Sequence, residues 1–146
     1  MRRIYILLAV TLFYSCSKKQ KVYNHLQGQW LIEAIYYNNQ NVITEYLSNG
    51  VDFEDDFSHL PTKIQKVNDK INWNLTQIER GKIISWDLIQ KDTLFYIKFH
   101  TKDEVFGDTL QIRFYREDGF NKMDLTNKHA YIKLSKWEFQ NPDDMN

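Results

Sequence analysis

Cysteine is nearly absent from this chain. Of 146 residues only Cys16 carries a thiol, so no disulfide within the chain can hold the fold together. Proline is scarce too, confined to Pro61 and Pro142. Neither sign of charge dominates, with 19 Lys and Arg against 19 Asp and Glu. There is thus no basic excess to draw the chain to nucleic acid. Internal repeats, low-complexity blocks and long amphipathic helical patterns are missing. So are a Gly-x-Ser-x-Gly elbow, a glycine-rich phosphate loop and His pairs at metal-ligand spacing. The uncharged run over 4–14 rises only about 16 Å as a helix. That is too short for a hydrocarbon core of about 30 Å.

What is present begins at the N-terminus. Arg2 and Arg3 precede the short apolar run, and Ser15 and Cys16 follow it. The composition then changes at once to Ser17, Lys18, Lys19, Gln20 and Lys21. A basic start, a short apolar stretch and a small residue read as a secretory signal peptide. A nucleophilic role for Cys16 would need a base and an orienting group held by a rigid fold, and Cys16 precedes any foldable sequence. An unpaired thiol in an exported chain can also bridge two molecules. The layout resembles a bacterial lipoprotein signal. That resemblance implies a signal peptide over 1–15, lipid on Cys16 and a tether over 16–24. At least two acyl chains then hold the chain to a membrane durably. Loss of 1–15 removes Arg2 and Arg3 and leaves a net charge of about −2. Ser17 and the lysines match neither an acidic retention signal nor an acidic surface-export cluster. The resemblance therefore implies the outer membrane, facing the periplasm.

About 125 residues remain, enough for one domain with one core. Period-two alternation dominates them. Leu110, Ile112 and Phe114 point one way, as do Phe95, Ile97 and Phe99. Ile84, Trp86 and Leu88 form a third set, and Ile132 and Leu134 a fourth. The stretch over 29–37 alternates more loosely, as a strand covered on both faces would. Turn signals separate these runs: Asn38 to Asn41, Glu79-Arg80-Gly81, Lys91-Asp92, Glu117-Asp118-Gly119 and Asn127-Lys128-His129. Asn tolerates the left-handed region, and Asp-Gly favours tight hairpins. The pattern predicts an all-β fold, an antiparallel meander barrel of eight or nine strands. One short helical or irregular insertion is expected over 58–68. Residues 140–146 read as a disordered tail.

His25-Leu26-Gln27-Gly28-Gln29-Trp30 is a short lead-in, then Gly-x-Trp, then the first strand. This opening is similar to that of lipocalin-like domains, and the likeness extends loosely over 25–139. It implies that Gly28 permits a close entering turn and that Trp30 plugs one end of the barrel. In that family an Arg on a late strand stacks on the Trp. Here the last strand offers Lys133 and Lys136 instead, and the family's Thr-Asp-x-Tyr motif is absent.

Chemistry is thinly signposted. Asp52, Glu54, Asp55 and Asp56 form an acidic run without a glycine-punctuated ligand loop. Alternation explains it as a solvated face, with Val51 and Phe53 turned in and Phe57 a further candidate. His25, His59, His100 and His129 lie far apart. No metal, cofactor or enzymatic activity is expected. Trp73, Trp86, Tyr96, Phe99, Phe114 and Tyr131 are candidate lining residues for a ligand cavity, since an eight-stranded barrel either fills with side chains or holds one small ligand. Two functions stand open. One is an outer-membrane-anchored, lipocalin-like lipoprotein binding a small hydrophobic molecule or lipid. The other is a periplasmic interaction module, such as an inhibitor, an immunity-type protein or an accessory of an envelope complex. An exposed apolar patch or a protruding loop near 58–68 would favour the second.

Overall fold

The computed structural model describes residues 18–79 and 82–137. Cys16, the signal segment, the turn residues Arg80 and Gly81, and the tail expected over 140–146 lie outside the described residues. Eleven strands form among the described residues, and the alternating runs over 29–37, 84–88, 95–99, 110–115 and 132–134 fall on five of them. The eleven are β1 (Gly28–Tyr37), β2 (Gln40–Asn41), β3 (Gly50–Glu54), β4 (Phe57–His59), β5 (Lys66–Val67), β6 (Lys70–Ile71), β7 (Ile83–Lys91), β8 (Leu94–Phe99), β9 (Leu110–Glu117), β10 (Phe120–Thr126) and β11 (Ala130–Lys136). Helix α1 spans 18–26, a single 3-10 turn spans Ile43–Glu45, and α2 spans Trp73–Glu79.

Nine strands form one antiparallel sheet in the order β11-β10-β9-β8-β7-β4-β3-β1-β2, and β11 also pairs with β1. That second pairing bends the sheet into a ring, with β2 a stub beside it. Strand direction alternates around the ring. The connections β3–β4, β7–β8 and β9–β10 are therefore tight turns at one end, while the longer segments 38–49, 60–82 and 100–109 gather at the other. Asn38 and Asn39 both take positive φ, as do Asn68 with Asp69 and Asp118 with Gly119. These are two-residue turns whose twist suits antiparallel strands.

The loose alternation in β1 has a specific cause. Its register against β11 shifts between Ile32 and Ala34. Trp30, Ile32 and then Ile35 are all buried, so the inward parity changes there. A bulge inserts one residue and re-aims the chain. Glu33 is left exposed on the outer side, where Lys122 bonds it. The bulge, rather than cover on both faces, accounts for the pattern.

Helix α1 closes the end with the tight turns, and the tether expected over 16–24 is helical from residue 18. Leu26 is fully buried, and Val22 and Tyr23 pack on the core. Tyr23 stacks on Trp86 at 5.5 Å. Gly28 has φ +94, a conformation that strains any other side chain, and turns the chain sharply from helix to strand. Trp30 is 1% exposed, and its indole N–H donates to the Leu26 carbonyl at 2.7 Å. The Lys136 ammonium lies 5.3 Å from the centre of the Trp30 ring and donates to the His25 carbonyl. Lysine thus holds the place that the likeness gives to arginine.

The region over 58–68 is part strand and part irregular segment, tied by a bridge between Tyr46 and Lys63. The helix sits later, at α2. Asn72 caps it, accepting from the Leu75 N–H at 3.1 Å. Phe57 faces outward and is exposed, because the Ser58 side chain takes the inward position.

Trp30→Ala is expected to lower unfolding free energy by about 3–5 kcal/mol. Trp73→Ala, at an exposed position, should change it by less than about 0.5 kcal/mol. Urea denaturation of both variants checks the contrast, and equal shifts would contradict the placement of Trp30.

Candidate functional site

The ring interior is filled. Ile35, Ile97, Phe99, Leu110, Met123, Leu125, Ile132 and Leu134 have no accessible surface. A side chain with none borders no space wide enough for a water molecule. Phe53 and Trp86 meet edge to face at 5.5 Å, and Phe53 lies 6.0 Å from Phe99. From the long-loop end, Phe106 packs on Phe99 and Tyr46 packs on Phe106, each at 6.0 Å. The Tyr46 hydroxyl donates to Asp103, whose carboxylate also accepts the N–H groups of Val105 and Phe106. Burial first, then Asp103, holds the Tyr46 phenol far above its usual pKa.

The expected cavity residues divide. Trp86, Phe99 and Phe114 face inward, and Phe114 packs against His25 and Trp30. Trp73, Tyr96 and Tyr131 are corrections. Trp73 stands 55% exposed on α2, away from the ring. Tyr96 alternates with the fully buried Ile97 and therefore points out, beneath the Lys91 ammonium at 5.5 Å. Tyr131 points out beside Ile132, and its hydroxyl donates to Asp124 at 3.3 Å.

Asp124 organises the outer face of β9–β11. It is 1% exposed although it faces outward. Its carboxylate accepts from Arg113, from the Tyr115 hydroxyl at 3.1 Å and from Tyr131. Burial and then the bond to Asp124 push the Tyr115 phenol up to about 12. Lys133 bonds Glu117 at 2.7 Å, and that bond raises its pKa. This network is saturated and reads as a clamp across strands.

The histidines have separate neighbours. His100 meets Asp87 at 2.8 Å, and His129 meets Asn38 at 2.9 Å. Among the described residues no group of His, Cys, Asp and Glu stands ready to hold a metal ion. Of those residues' helices, none is long and apolar enough to cross a membrane.

The segment 60–82 carries several of the exposed apolar side chains. β5 and β6 pair only with each other, in a sheet of their own. Val67, Ile71, Trp73 and Leu75 are all exposed there. A depression of about 380 Å³ lies between Val67, Ile71 and Trp73, with Lys70 at its rim. The base of the segment is secured. Leu47 N–H donates to the Thr62 carbonyl, Ile64 N–H to the Glu45 carbonyl, and Gln65 N–H to the Thr76 hydroxyl. Partial burial opposes the charge on Lys63, but Glu104 and Glu45 outweigh it and hold its pKa above normal. Only Trp73 of this patch stood out in the sequence. The signal for the rest was Asn68-Asp69 between Val67 and Ile71, with strands too short to show alternation.

No family model matches the chain, and no curated protein or solved structure is significantly similar to it.

Asp124→Ala is expected to cost about 1–3 kcal/mol, because buried phenol donors lose their acceptor. Arg113→Ala should cost less, since the Tyr115 and Tyr131 hydroxyls still donate to the Asp124 carboxylate. Denaturation midpoints measured side by side check the order.

Proposed function

We propose that the chain is an envelope-anchored interaction module, a lipocalin-like lipoprotein that holds a protein partner through the apolar face of segment 60–82. One observation carries the reading: Val67, Ile71 and Trp73 border one depression, with Leu75 exposed nearby in sequence, on an excursion whose base is bonded to the 38–49 segment. Exposed apolar side chains grouped on a firm support mark protein contacts more often than chance surface. A half-exposed Trp at the centre of such a group is the kind of residue that dominates binding energy. Lys66 and Lys70 flank the patch, so the partner's matching surface is apolar with an acidic rim. The filled interior speaks against a ligand held inside the ring.

The attachment suits this role. Lipid on Cys16 tethers the chain just ahead of α1, which meets the ring at its tight-turn end. Segment 60–82 leaves from the other end, where it reaches toward a partner in the periplasm. The proposed site is the outer membrane.

A photoreactive residue in place of Trp73 is expected to crosslink one envelope protein in cells. The crosslink should vanish when Ile71→Asp and Val67→Asp are added, and the same probe at Lys91 should capture nothing. Persistence of the crosslink in the aspartate variant, or its absence throughout, would overturn the assignment. Cys16→Ala is expected to abolish incorporation of labelled palmitate and to release the protein from the membrane fraction with its melting temperature unchanged. Palmitate on that variant would refute the anchor.

A further inference from the structure

The outer face of β1, β3 and β4 carries a separate concavity. The alternation that turns Trp30, Val51 and Phe53 inward turns Gln29, Leu31, Gly50 and Asp52 outward. Gly50 stands opposite Leu31. It has no side chain, so the outer face sinks at that point, and a glycine within a strand marks a place of close approach. Trp137 follows β11 directly, and its backbone N–H donates to the Gln29 carbonyl at 2.9 Å. The result is a cleft of about 360 Å³, walled by Trp137 and Leu31 on its apolar side and by Gln29, Asp52, His59 and Thr62 on its polar side. Small-ligand sites span roughly 300–1,000 Å³, so the cleft suits a short ligand.

Its chemistry narrows the class. Among the described residues neither Lys nor Arg lines it, so an anionic group would find there none of the cations that bind phosphate or carboxylate. Trp137 is 52% exposed and offers an apolar wall. The Gln29 amide donates to Asp52 Oδ2 at 3.4 Å, a long bond, and an ionised carboxylate keeps further acceptor positions. His59 stands opposite Asp52 across β3 and β4. An apolar surface beside a carboxylate, an amide and an imidazole matches a ring with one C–H face and a rim of hydroxyl groups. We propose that this cleft binds a neutral saccharide, with a sugar ring against Trp137 and its hydroxyls donating to Asp52. The site is independent of segment 60–82 and of any partner there.

Gly50 makes a clean test. A Cβ added at that position would meet only the Trp30 carbonyl oxygen, at 4.0 Å. Gly50→Leu therefore fills the cleft without displacing backbone. The full chain is titrated with cellobiose, maltose and N,N′-diacetylchitobiose and read by saturation transfer to the sugar protons, with glucose 6-phosphate as the anionic comparison. At least one neutral disaccharide is expected to bind with Kd below about 10 mM. Binding should weaken at least tenfold in Gly50→Leu and in Trp137→Ala, weaken in Asp52→Asn, and stay unchanged in Trp73→Ala. Denaturation midpoints confirm that each variant is folded, and Asp52→Asn and Trp137→Ala carry the test if Gly50→Leu is not. Absence of binding by every neutral sugar overturns the proposal. So does affinity retained in the folded cleft variants, or a preference for glucose 6-phosphate.

Discussion

The pairing of β1 with β11 is the constraint on which the rest depends. It runs from Trp30 opposite Lys136 to Tyr37 opposite Ala130. Without it, the longest strand would leave an open edge, and open edges invite pairing with other chains. With it, the inward side chains of β1 and β11 face those of β7 to β9 and exclude water from both sides. The same pairing brings Lys136 to Trp30 and so couples ring closure to the plug beneath it.

The bulge at Ile32–Ala34 is the local adjustment that closure requires. It turns β1 so that Trp30 and Ile35 both face the core, despite the odd spacing between them. It also leaves Glu33 outside, where Lys122 and Lys133 meet it. The polar outer face of β9 to β11 is thus tied to β1 by charge as well as by backbone bonds. Asp124 belongs to the same surface. Aromatic side chains shield its carboxylate, and their hydroxyls satisfy it, so an outward acid is buried without penalty.

Because the interior is filled, the open concave and apolar features lie on the outside. The exterior offers two features of different kind. Segment 60–82 presents exposed apolar side chains around a shallow depression. The cleft by Gly50 is concave and mixed in polarity, as a small-ligand site is.

Much of the architecture was legible in the sequence. Alternation at Leu110, Ile112 and Phe114, and at Ile132 and Leu134, follows from a period that only strands share, and turn pairs such as Asp118-Gly119 follow from backbone sterics. Gly28 and Trp30 stand out through a resemblance rather than through local sterics, and the structure places them at the start of the ring. The sites were less legible. Tyr96 and Tyr131 lie on strands, yet their direction depends on register, and Trp73 belongs to a helix too short to show periodicity. Whether aromatic residues line a cavity or fill it is a question of volume, which no spacing along the chain records. The cleft joins residues from 29, 52 and 137, and the apolar patch joins a hairpin to a helix. The sequence by itself determined the long alternating strands and the tight turns, because those follow from neighbours in the chain. Only the tertiary structure decided that the interior is full and that the cleft and the apolar patch face outward, because packing depends on residues the chain holds far apart.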